Sequence, residues 1–261
     1  MIVLQEDFIM ERLSLFLLLS VRLSALFLVA PIFSGSAVTV PTRTALMLGV
    51  ISVMFGTISV PTINLLTPEG AAVIMREAVV GFGIGLMFQL AFAGVAMAGE
   101  QIAFSMGLGF ASMVDPQTGV QSPVVTQFLS ILFILIFLVL GGHHIMLREF
   151  AASYAILPIG ADLDSKIFIA VVQSAGMVFS SALLISFPVI VLLFLINMLI
   201  GLMTRIAPQM NIFSVGFPVT ILIGFVAVLL TLPEMTASMS GLIEVVSGLV
   251  REQILGLGTR A

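Results

Sequence analysis

Gly99–Pro123 reads GEQIAFSMGLGFASMVDPQTGVQSP and lies between two long apolar runs. It is too polar for a membrane span, with Glu100, Gln101, Ser105, Asp115, Gln117 and Gln121. It is too apolar and glycine-rich for a plain solvent loop, with Met106, Phe110 and Met113 around Gly107 and Gly109. Asp115-Pro116 and Pro123 break helix, because proline drives the preceding residue out of the α region. Irregular backbone at membrane depth is tolerated only where protein buries it or where it lines a water-filled cavity. Two readings follow from these residues: a pore-lining or pore-closing segment, or an extramembrane loop.

The flanking runs settle the class. Of 261 residues, 60% are hydrophobic and 8% charged, against about 25% charged in soluble domains. A mean hydropathy of +1.29 places the chain among integral membrane proteins. The expected fold is all-α, one membrane domain over residues 1–261, interrupted at 99–123. The net charge of −4 and the lack of a basic run offer nothing to nucleic acid. Without cysteine there are no disulfides, thiolate metal sites or cysteine nucleophiles. With no tryptophan and one tyrosine the interfacial aromatic belt is nearly missing, so much of the apolar surface is expected to meet protein.

Working outward, Leu13–Phe33 is the first expected span, too long for a signal core and acid-flanked, hence no cleavable signal. Arg22 lies mid-span and needs a carboxylate, a carbonyl or a cavity, since a mid-membrane arginine costs roughly 2.5–3.5 kcal/mol on insertion scales. Ser34–Arg43 reads as a turn region and Thr44–Leu66 as the second span. Thr67-Pro68-Glu69 then starts a helix, with threonine as N-cap and proline in the first turn. Ala71–Ala98 is the third apolar run. Its Arg76 and Glu77 are neighbours that face different ways on a helix and need separate partners. Gly81 with Gly85, and Gly94 with Ala98, are spaced for close helix approach.

Val124–Leu140 forms the fourth run, closed by Gly141-Gly142-His143-His144. Adjacent histidines diverge on a helix and no H-E-x-x-H follows, so no metal is expected. Ile167–Met203 is too long for one crossing and is expected to split near Ser186-Phe187-Pro188, with Asn197 as a polar handle for helix contact. A second mixed segment, 204–218, precedes a short apolar helix at Val219–Leu232. A separate amphipathic helix over 233–257 is expected to open at Thr231-Leu232-Pro233-Glu234, with Met235, Met239, Leu242, Val246, Leu249 and Val250 on one face. No Walker loop, G-x-S-x-G or clustered acids appear, so neither enzyme activity nor a cofactor is expected.

Arg205-Ile206-Ala207-Pro208-Gln209-Met210-Asn211-Ile212-Phe213-Ser214-Val215-Gly216-Phe217-Pro218 resembles the hallmark segment of the FliR/SpaR/HrcT-type family, the R subunit of flagellar and type III secretion export gates. Arg22 with Pro31, Pro41 with Arg43, Gly99-Glu100-Gln101 before Asp115-Pro116, Gly141-Gly142-His143 and Pro158 follow in the family's order. Intact Pro208-Gln209-Met210-Asn211 and Gly216-Phe217-Pro218 favour the flagellar branch.

The resemblance implies a gate in the inner membrane of the flagellar basal body, built with FliP and FliQ, wrapped by FlhB and set above FlhA. Such a gate passes unfolded flagellar proteins. Membrane lipid is the other expected contact. By the same resemblance, residues 106–122 act as a plug, with Met106, Gly107, Gly109, Phe110, Met113, Asp115 and Pro116 in it. Arg22, Glu100 and Arg205 are expected as buried or packing charges. The competing readings are a small-solute transporter, which needs an internal repeat and a convergent polar site, and a scaffold without a pore of its own.

Overall fold

A computed structural model of the chain describes residues 2–35, 38–56, 58, 65, 67–108, 123–163, 166–206 and 216–256. Among these residues the structure is helix joined by turns, with no strand. In chain order the helices are α1 (Ile2–Val29), α2 (Val40–Met54), α3 (Pro68–Ser105), α4 (Val124–Val139), α5 (Gly142–Ile156), α6 (Lys166–Ser174), α7 (Gly176–Ile206) and α8 (Phe217–Leu249). A π-helical turn, Val250–Leu255, continues α8. Arg12–Val29, Pro68–Ser105, Ile167–Met203 and Pro218–Leu255 are long and apolar enough to cross a membrane. The pair α4 and α5 adds a fifth if counted as one span. The chain is an all-α integral membrane protein.

Several boundaries differ from expectation. α2 begins at Val40, so Pro41 sits in its first turn and not in a linker, a position where the missing N–H of proline costs no helical bond. α2 ends at Met54, before the expected limit of the second span, and residues 59–64 lie outside the described residues. The long run over 167–203 breaks at Ala175, between α6 and α7, and not at Ser186–Pro188. Ser174 and Gly176, weak helix formers, flank that break, while Pro188 lies inside α7. Likewise α8 runs through Pro233, so no new helix opens at Thr231. Thr231 hydrogen-bonds the carbonyl oxygen of Ala227, 2.9 Å away. Proline within membrane helices is tolerated because neighbouring groups satisfy the freed backbone.

The start of α3 follows the expected cap: the Gly70 N–H donates to Thr67 Oγ1 at 3.2 Å. Its end does not follow expectation. Gly99–Ser105, read as part of an irregular segment, is the last stretch of α3. The apolar side chains there bury as a helical face, with Ile102 and Ala103 wholly enclosed.

The chain forms two compact units. One comprises residues 1–90, 141–175 and 245–261, the other residues 91–140 and 176–244. In the first, α3 packs along α1 through its glycines. A β carbon on Gly81 would overlap the carbonyl oxygen of Arg22, and one on Gly85 would lie 2.8 Å from that of Leu26. Glu77, Gly81 and Gly85 recur every fourth residue, as do Arg22, Leu26 and Ala30, so the two faces mesh and the helices run in the same direction. Of the expected apolar face of the C-terminal stretch, Met235, Met239, Leu242, Val246 and Val250 are buried, while Leu249 is half-buried.

In the second unit, residues 91–105 of α3 meet α4 and α7. Phe92 packs on Phe133 and Phe137, with ring centroids 4.5 and 5.5 Å apart. A β carbon on Gly99 would lie 2.6 Å from Thr126 Cα. Gly94 approaches α7 closely, where Ser181 Oγ fills the space a side chain would need, and Ala98 is fully buried.

Candidate functional site

Two polar clusters stand out, one in each unit. In the first unit Arg22 is 1% exposed. Its Nε donates to Glu77 Oε2 at 2.7 Å, Nη1 to Ser153 Oγ at 2.9 Å and Nη2 to the Leu157 carbonyl at 3.1 Å. The guanidinium also lies over the Tyr154 ring, 4.0 Å from its centroid, a cation–π contact. α1, α3 and α5 are thus tied through one side chain. Arg76, next to Glu77, turns the other way and pairs with Asp162 at 2.8 Å, with a weaker reach of 3.4 Å to the Gly160 carbonyl. The turn after α5 is therefore held by side chains from α1 and α3. A third ion pair lies in this unit. Buried Glu149 accepts two bonds from Arg251 Nε, at 3.0 and 2.9 Å, and one from Nη2 at 2.6 Å. Ser174 and Gln253 pair beside it.

In the second unit the polar contacts converge on the C-terminus of α3. Ser186 Oγ donates to Gln101 Oε1 at 2.9 Å, and Asn197 Nδ2 donates to the Ser105 carbonyl at 3.2 Å. From α8, Thr220 Oγ1 donates to the Met106 carbonyl at 3.1 Å. The helix then ends in a Schellman arrangement. The Gly107 N–H bonds to the Phe104 carbonyl and the Leu108 N–H to the Ala103 carbonyl, both at 3.0 Å. Gly107 takes φ +82°, a conformation that costs a residue with a Cβ about 1–2 kcal/mol. Met106 is fully buried. A β carbon on Gly224 of α8 would lie 2.5 Å from its Cγ and 2.9 Å from its Sδ. The glycine is a notch shaped for that methionine.

Of the residues read as plug, Met106 and Gly107 thus belong to this anchored helix end. Gly109, Phe110, Met113, Asp115 and Pro116 lie outside the described residues, as do Pro208, Gln209, Met210 and Asn211 of the 205–218 segment. Gly216 is buried and Pro218 exposed at the start of α8. Glu100 and Arg205 are exposed on this chain, whereas Arg22 is buried. Arg205 sits in the last turn of α7, where a cation meets the negative end of the helix dipole. His143 and His144 do not diverge: their rings lie 4.0 Å apart. Among the described residues no group of three metal-capable side chains forms.

Ser153 and Tyr154 gave no sign in the sequence, being short or aromatic side chains in an apolar context. Thr220 and Gly224 did carry one, the small-x-x-x-small spacing that marked Gly81 and Gly85.

The chain is a helical membrane protein, and its family is one of bacterial export proteins. Residues 13–246 match the bacterial export proteins, family 1, and the chain belongs to that family, in its FliR branch. It is 38% identical over 216 residues to the flagellar biosynthetic protein FliR of Pectobacterium carotovorum subsp. carotovorum, covering 82% of each chain. It is 33% identical to that of Buchnera aphidicola subsp. Baizongia pistaciae, covering 89% of this chain and 91% of the relative. With that of Bacillus subtilis (strain 168) it shares 32% identity over 81% of this chain and 83% of the relative.

Proposed function

We propose that this chain is a subunit of the flagellar protein export gate in the bacterial inner membrane. In that gate it assembles with FliP, FliQ, FlhB and FlhA-like subunits, and residues 106–122 stopper the passage for unfolded flagellar proteins. Family membership supports export. One observation supports the plug: the point at which the segment leaves α3 is buried, capped and hydrogen-bonded from two other helices. A stopper must hold against an ion gradient, and a firmly seated origin gives a short segment that resistance. Methionine and phenylalanine beside glycine suit the task. They exclude water by apolar contact, and a hydrophobic constriction closes a channel by dewetting. Arg22 acts in this account as a structural charge within the bundle.

The chain has no native cysteine, which permits a direct test. A single cysteine replacing Phe110 in the assembled gate crosslinks to an export substrate stalled in transit. Crosslinking at other positions of the passage but never at 110 overturns the plug and favours a scaffold.

A further inference from the structure

We infer that Met106 is a fixed anchor, docked in the Gly224 notch both when the gate is closed and when it transports, with Thr220 and Asn197 as its positioning residues. This rests on the plug reading above and adds which part of the chain stays still.

Three kinds of restraint meet at one residue. The Met106 side chain is enclosed and fills a space that exists only because position 224 has no β carbon. The carbonyls of Ser105 and Met106, both at the helix end where no intrahelical N–H is left to bond them, receive the Asn197 amide and the Thr220 hydroxyl. The Schellman bonds then fold Gly107 and Leu108 back onto α3. Lifting Met106 would take an apolar side chain from its seat and strip the Met106 carbonyl of its buried donor, and an unpaired buried carbonyl is costly. Releasing the chain after Leu108 breaks none of these restraints. The restraints therefore favour a docked Met106 in both states.

The test uses the full chain in the assembled gate with Met106→Cys and Gly224→Cys together. The Gly224 β carbon would lie one C–C bond beyond 2.5 Å from the Met106 β carbon at most, within the reach of a disulfide, whose β carbons sit about 3.5–4.5 Å apart. Oxidation is expected to consume both thiols, read by maleimide labelling. The export level of the oxidised variant, whatever it is, is expected to equal that of the same variant after reduction. Thiols that stay reactive under oxidant overturn the contact. Export lost on oxidation and regained with dithiothreitol overturns the fixed anchor, because Met106 must then leave its seat.

Thr220→Val gives an independent arm: with the hydroxyl gone and the subunit still incorporated, ion leakage through the resting gate rises, and unchanged tightness counts against Thr220 as a positioning residue. Should deletion of residues 106–110 leave the gate tight, the plug itself falls, while the disulfide still reports whether the docking geometry is right.

Discussion

Arg22 on α1 and Glu77 on α3 meet at 2.7 Å with both side chains at most 2% exposed. The contact exists because Gly81, one turn beyond Glu77, lets the two backbones touch: its missing β carbon leaves room for the Arg22 carbonyl. A charge pair and a glycine notch on consecutive turns of one helix thus depend on each other.

Breaking that pair from either side is expected to destabilise the chain strongly. Removing one partner of a buried, hydrogen-bonded pair costs about 3–5 kcal/mol, because the other charge is left enclosed. Arg22→Met and Glu77→Leu should each lower the thermal midpoint of the detergent-solubilised protein. The double variant Arg22→Met/Glu77→Leu should recover part of the loss. A double variant worse than the sum of the singles would contradict the pairing.

Filling the glycine notch should act at the same interface without touching a charge. Gly81→Ala drives a methyl group into the α1 backbone, and overpacking of this kind costs typically about 1–3 kcal/mol. Gly241→Ala, on a face of α8 where nothing lies within 4 Å, is the control, with stability equal to or up to about 1 kcal/mol above the parent. Equal thermal midpoints for the two variants would contradict the α1–α3 contact.

Glu149 is wholly buried, and Arg251 supplies its bidentate partner from the π-helical turn; Arg148 lies farther off, at 3.7 Å. Lysine offers a point charge and not a planar fork. Arg251→Lys should therefore loosen residues 250–255 and Arg251→Ala should do so further, read as faster amide hydrogen exchange in that turn and in α5. Exchange unchanged in both variants would show the pair to be incidental.

These contacts were legible in the sequence to different depths. The divergence of Arg76 and Glu77 follows from helix geometry alone, and each found its own partner, Asp162 and Arg22. The glycine spacing at 81 and 85 and the buried face from Met235 to Val250 follow from the same periodicity. Proline misled: Pro188 and Pro233 sit inside continuous helices, which membrane helices tolerate more readily than the residue pattern suggests. Polarity misled at Gly99–Ser105, because the Gln101 side chain accepts a bond from Ser186 and the Ser105 hydroxyl donates back to the Gln101 carbonyl, and both leave the helix intact. Which notch would receive Met106 was not readable, since Gly224 lies more than a hundred residues away and only the fold brings it there.

The central claim is that the chain leaving α3 at Met106 closes a passage. Deleting residues 106–110 in the assembled gate and measuring the flux of ions and small molecules through the resting complex tests it most directly. The account predicts a leak, with the subunit still incorporated; a complex that assembles and stays as tight as the parent would contradict it.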